Sequence, residues 1–185
     1  MNIISRRGFA LGALATTTLS ACGNGIGSTG AATIDARVES TLTYMFSNYP
    51  GTRDLASRAS GMLVMPLMTE VGLGLGGGFG RGALRIGQSN VDYYAAANAS
   101  AGLQVGGQQF SHVLFFMTQD ALQEFRRSSG WAAGADVEYA LIDTADMLRA
   151  DTTTSLSPVI AVVFAQAGFR LAATLEGTKY TRIIP

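Results

Sequence analysis

The segment Gly61-Met-Leu-Val-Met-Pro-Leu-Met-Thr-Glu-Val-Gly-Leu-Gly-Leu-Gly-Gly-Gly-Phe-Gly-Arg-Gly-Ala-Leu-Arg-Ile86 decides the fold class. Gly61 to Pro66 reads as a short buried strand ended by proline. Val71 to Leu75 and Gly80 to Ile86 read as two arms of a hairpin turning at Gly76-Gly77-Gly78. The same texture continues downstream, with strands expected at Tyr93 to Val105 and at Phe110 to Met117. Thr118 then opens a helix that carries Ala121, Leu122 and Phe125 and ends at Gly130. Val159 to Phe164, Phe169 to Leu175 and Tyr180 to Ile184 close the chain as strands, the last two joined through Glu176-Gly177-Thr178. The polar, threonine-rich stretch from Asp143 to Pro158 reads as a short helix and a loop. Many short strands, glycine turns and few intervening helices predict an α+β fold. Its sheet should be curved, antiparallel or barrel-like, with helices packed at one side.

Upstream of this segment the period changes. Thr33 can cap a helix, and Ile34, Val38, Leu42 and Met45 recur on one helical face until Asn48, Pro50 and Gly51 stop it. A second short helix is expected from Thr52 to Ser60, with Leu55, Ala56 and Ala59 inward and Arg53 and Arg58 outward. Residues 33–185 therefore make a single domain, and a chain of this length buries roughly 70% of its unfolded surface.

The first 21 residues have another logic. Arg6 and Arg7 precede an apolar run from Gly8 to Leu14 and a small-residue stretch ending in Leu19-Ser-Ala-Cys22, the charged-apolar-small order of a secretory signal. A membrane-spanning helix needs about 20 consecutive apolar residues; Gly12 and Thr16-Thr17-Thr18 interrupt this run too early. Cys22 stands where a bacterial lipoprotein signal is cut and acylated, and it is the only cysteine in the chain. Ser5-Arg6-Arg7-Gly8-Phe9-Ala10-Leu11 also resembles the twin-arginine export signal, which a receptor reads. Residues 23–32 form a spacer of glycine and other small or polar residues, and a coil of ten such residues has a root-mean-square span of about 17 Å. Residues 1–21 are thus expected to be a signal peptide and 22–32 a lipidated tether. Gly23 after the cysteine, rather than aspartate, points by the Gram-negative lipoprotein sorting rule to the periplasmic face of the outer membrane.

Composition narrows the partners. Removing Arg6 and Arg7 with the signal leaves 11 basic residues against 13 acidic ones, a formal charge of −2, which is no nucleic-acid binder's balance. A lone cysteine allows no intrachain disulfide, so the core must carry the stability.

The inventory for catalysis is thin. Gly72-Leu-Gly74-Leu-Gly76-Gly77 matches the G-x-G-x-x-G pattern with Asp92 twenty residues on, but a dinucleotide site needs those glycines to open a helix. Here the strand-like Ala83-Leu-Arg-Ile follows, and the glycines are better read as bends and close packing in a curved sheet. His112, the only histidine, precedes Val113-Leu-Phe-Phe116 in a strand and reads as a buried or edge side chain. No G-x-S-x-G elbow occurs. Asp136, Glu138, Asp143, Asp146 and Asp151 have no calcium-loop spacing and read as a solvated acidic edge. No catalytic residue, metal or cofactor is expected.

Arginine is the remaining chemical signal: the segment after residue 21 has ten, against Lys179 alone. Guanidinium suits bidentate phosphate contact. Strand alternation puts Arg81 and Arg85 on one face, about 13 Å apart at ~3.3 Å per residue. With Arg53 and Arg58 on the helical arm, and the Arg126-Arg127 pair, they are the candidates for meeting lipid headgroups.

Several motifs in register resemble the SYLF-domain family: Gly61-Met-Leu-Val-Met-Pro66, Gly76-Gly-Gly-Phe-Gly-Arg-Gly-Ala-Leu84, Ser100-Ala-Gly-Leu-Gln-Val-Gly-Gly-Gln108, and Gly168-Phe169 leading to Leu175-Glu-Gly177. The resemblance spans about residues 35–184, and the chain departs from the family pattern at Ala167, Ala172 and Ala140-Leu-Ile142. It implies a domain that binds phosphoinositide-type lipids in eukaryotic members and actin in yeast, and that occurs in bacterial envelope lipoproteins. The expected function is a membrane-anchored, non-catalytic lipoprotein whose domain binds phospholipid or phosphoinositide-type headgroups. The alternatives are a structural or protein-interaction module of the cell envelope and, more distantly, a lipid-modifying enzyme. Membrane lipid is the expected partner, with envelope proteins second.

Overall fold

The structure is a computed structural model, and it describes residues 28–134, 137–141, 157–164, 175 and 177–185. Three helices, α1 (Gly30–Asn48), α2 (Thr52–Arg58) and α3 (Gln119–Arg127), accompany strands β1 (Gly61–Ile86), β2 (Ser89–Phe116), β3 (Trp131–Ala132), β4 (Val137–Leu141), β5 (Val159–Phe164) and β6 (Lys179–Ile183). The fold is α+β, as expected. The expected strands at Phe169 to Leu175 and the helix within Asp143 to Pro158 fall almost wholly outside the described residues.

The first half of the sheet differs from the sequence expectation. Gly61 to Ile86 is not a strand followed by a hairpin but one strand of 26 residues, paired antiparallel along its length with the 28 residues of β2. Gly76, Gly77 and Gly78 lie in mid-strand opposite Ser100, Ala99 and Asn98. The turn comes instead at Gly87, whose φ of +61° is the left-handed conformation a tight hairpin demands. Pro66 does not end the strand either. The register shifts between Met65 and Met68, which lets the residue without a backbone N–H sit at an irregularity, and the Ser111 hydroxyl donates to the Pro66 carbonyl at 2.7 Å.

The glycines allow the long ribbon to double back, so that its second half packs closely on its first. A methyl group at Gly80 would lie 2.6 Å from the Leu67 carbonyl oxygen, and one at Gly82 would collide with the Val64 carbonyl and the Met65 sulfur. The curl turns one face of β1 and β2 into a closed interior. Leu63, Met65, Met68, Leu84, Tyr94, Phe110, Leu114 and Phe116 fill it with Leu122 and Phe125 of α3.

Strand order is β3-β6-β2-β5-β4, with β1 also on β2. The sheet is curled and antiparallel, as expected, apart from β4, which pairs parallel with β5. Every residue of β5 is buried, as expected of an uninterrupted apolar run covered on both faces. The second cover is α1, whose Ile34, Val38, Leu42 and Met45 pack with Val64, Val113, Phe115, Ile160, Val162 and Phe164. That is the face the spacing predicted, although the helix starts at Gly30 rather than Thr33. Thr118 caps α3 by accepting from the Ala121 N–H at 3.2 Å. Asp120 in its first turn and Arg126 and Arg127 in its last complement its dipole.

Candidate functional site

The four candidate arginines meet different fates. Arg58 pairs with Asp54 one turn earlier on α2. Arg85 reaches across to α1 and binds Glu39 at 2.8 Å, its side chain only 15% exposed. It therefore acts as a clamp between sheet and helix rather than a surface contact. Arg53 lies on the exposed side of α2 with its guanidinium 5.1 Å from the centre of the Phe46 ring. Arg81 is exposed and stands 5.8 Å over the Phe79 ring. The expected set of four is thus divided: Arg85 is mostly covered where Glu39 of α1 binds it, whereas Arg81 is exposed beside Phe79. Cys22 lies outside the described residues.

Arg81 borders an open groove of about 380 Å³ lined by Phe79, Ala95, Ile183, Ile184 and Pro185. Its rim is apolar, with Phe79 51% and Ile184 71% exposed. The first helix begins beside it, because the Ser28 hydroxyl donates to the Pro185 carbonyl at 2.9 Å and in turn accepts from the Gly30 N–H at 3.1 Å. Asp35, one turn on, takes hydrogen bonds from Asn90 at 2.8 Å and the Tyr93 hydroxyl at 3.0 Å. Burial first, then the hydrogen bond and charge of Asp35, push the Tyr93 hydroxyl above its ordinary pKa. These contacts hold the start of α1 at the groove's edge.

Phe79 escaped the sequence reading, although strand alternation puts it on the same face as Arg81. Gly78, Gly80 and Gly82 must face the first half of β1, so alternation turns Phe79 and Arg81 outward. Nothing local announces Ile183 to Pro185 as the opposite wall. A second cluster also escaped the sequence reading: Arg126 of α3 and Arg182 of β6 both approach Asp92 at 3.3 Å and tie that helix to the sheet.

His112 is fully buried, with its Nε2 2.8 Å from the Tyr180 hydroxyl. Burial lowers its pKa to about 3, so it is a neutral core side chain, as its apolar neighbours suggested. The G-x-G-x-x-G match lies wholly within β1, with no helix after it, which removes the geometry a dinucleotide needs. Among the described residues no three His, Cys, Asp or Glu side chains gather as a metal site, and no helix is long and apolar enough to cross a membrane.

A comparison with curated proteins found no match. Residues 97–182, from the second half of the ribbon to β6, match the family model Ysc84, described as Las17-binding protein actin regulator. The match agrees with the SYLF family whose motifs the sequence resembles, over residues 97–182.

Proposed function

We propose that this protein is an exported lipoprotein, held by acyl chains on Cys22, whose SYLF-type domain meets anionic phospholipid headgroups and performs no reaction of its own. The observation that carries the reading is the placement of Cys22. It ends a signal-like segment six residues before Ser28, a stretch that spans at most about 20 Å even when fully extended. A domain so tethered cannot leave the bilayer surface, and its arginines face headgroups by proximity. The outer membrane is the destination proposed from Gly23.

Two measurements test this. Cys22→Ser should move the protein from the membrane to the soluble fraction, since stable anchoring comes from acyl chains at ~0.8 kcal/mol per buried methylene; a variant that stays fully membrane-bound refutes the anchor. The full-length Cys22→Ser chain should then sediment with vesicles containing phosphatidylglycerol and lose that binding as salt rises. Removing Arg53 and Arg81 together should weaken it about 30-fold at low ionic strength, at ~1 kcal/mol per arginine. Removing Arg85, whose side chain is only 15% exposed, should do much less. A loss from Arg85 as large as that from the exposed pair, or no binding to anionic vesicles, would refute the headgroup reading.

The family description names a binding protein that regulates actin, which favours a second reading: an interaction module for an envelope protein. Binding that ignores lipid charge but saturates with a protein partner would select it.

A further inference from the structure

We propose that the rim of the groove beside Arg81 is the face the domain lays into the bilayer: Phe79 and Ile184 enter the interface, and Arg81 stays at the level of the phosphates. The proposal rests on the acyl anchor at Cys22 and goes beyond it by assigning an orientation and an apolar contribution.

Three observations converge on this face. Phe79 and Ile184 are among the large apolar side chains the domain leaves exposed, at 51% and 71%, and both line one groove. Arg81 shares that groove and lies over the Phe79 ring. An apolar tip beside a cation with a flexible stem is the composition of an interfacial contact, one part seeking acyl chains and the other the phosphate plane. Finally, the point where the tether joins the domain is fixed at the same place. Ser28 is hydrogen-bonded to the Pro185 carbonyl, and Pro185 is a wall of the groove. With Ser28 six residues after Cys22, a reach of about 20 Å at most, an anchored domain must turn this end toward the membrane. The occupant is therefore the phospholipid surface that receives the acyl chains.

The test uses the full chain, acylated and reconstituted into vesicles of phosphatidylethanolamine and phosphatidylglycerol. Acylation blocks the Cys22 sulfur, so a cysteine introduced by Phe79→Cys, Ile184→Cys or, as control, Glu124→Cys on α3 takes up an environment-sensitive maleimide dye alone. The expected result is a blue-shifted emission at 79 and 184 that is lost when the lipids carry shallow spin-label quenchers, with emission from 124 unchanged. If the parent is membrane-bound and inert to maleimide, yet labels at 79 and 184 behave like the one at 124, the docking face is overturned and the anchor stands. If the parent's own Cys22 takes the dye, the anchor fails and this proposal with it. A second measurement does not depend on labelling. In the Cys22→Ser chain, Phe79→Ser with Ile184→Ser should weaken vesicle binding about tenfold and leave its salt dependence unchanged, whereas loss of Arg81 should flatten that dependence. A double serine variant that binds like its parent overturns the proposal.

Discussion

Glycine in this chain does three different jobs, and the backbone distinguishes them residue by residue. At Gly82 a side chain has no room, because its first carbon would run into the Val64 carbonyl and the Met65 sulfur. Gly82→Ala should cost about 2–3 kcal/mol, the cost of overpacking against backbone that cannot move aside. At Gly87 there is space, but φ is +61°, so alanine should cost about 1–2 kcal/mol through the strained left-handed conformation. At Gly107 the nearest atom to an added methyl would be 3.5 Å away, an ordinary contact, and alanine should change stability by less than about 0.5 kcal/mol. Chemical denaturation of the three variants checks the order; a Gly82→Ala protein as stable as Gly107→Ala would mean the ribbon does not double back as described. His112 carries a second residue-scale consequence. Its pKa is about 3 in the fold and near 6.5 in an unfolded chain, so below pH ~6.5 the unfolded state takes up a proton that the folded state refuses. Stability from this group is complete above that pH and falls on acidification by about 1.4 kcal/mol per unit until pH ~3. Stability curves at pH 6.5 and 5 should therefore differ by about 1.6 kcal/mol from this group, and His112→Gln, which keeps a hydrogen-bonding partner for Tyr180 without titrating there, should remove that part of the slope.

Elements in this fold are held by few, identifiable contacts. The start of α3 depends on the Thr118 hydroxyl that accepts from the Ala121 N–H, and Thr118→Ala should cost about 1 kcal/mol. Helix α1 is held by its apolar stripe, and Met45, fully buried between α1 and the sheet, should cost about 2–5 kcal/mol when cut to alanine. Calorimetric unfolding checks both. A Met45→Ala loss no greater than the Thr118→Ala loss would mean that α1 is not integral to the core. These elements were readable because their signals are local: a capping residue before a helix, or one apolar face every three or four residues. The site of the hairpin turn is not legible locally for the converse reason. Gly76-Gly77-Gly78 satisfies every local criterion for a turn, and only the pairing partners on β2 show that the chain passes straight through it.

At the scale of the whole molecule, the sequence by itself determined that this is an α+β domain with a curved sheet, which helix face is buried, that His112 is a buried or edge side chain, and which family the chain resembles. All of these follow from composition, from periods of two and 3.6, or from motifs that are contiguous in the chain. Tertiary structure alone decided where the ribbon turns, that β4 joins the sheet parallel to β5, and which of the candidate arginines stay exposed. Arg81 and Arg85 are equivalent on the strand, yet Glu39 from a helix 46 residues away covers Arg85, while Arg81 stays exposed. Phe79 and Ile184 are likewise more than a hundred residues apart and meet in one groove. Strand pairing and helix docking bring such groups together. Those contacts depend on the closure of the whole sheet, which no window of sequence contains.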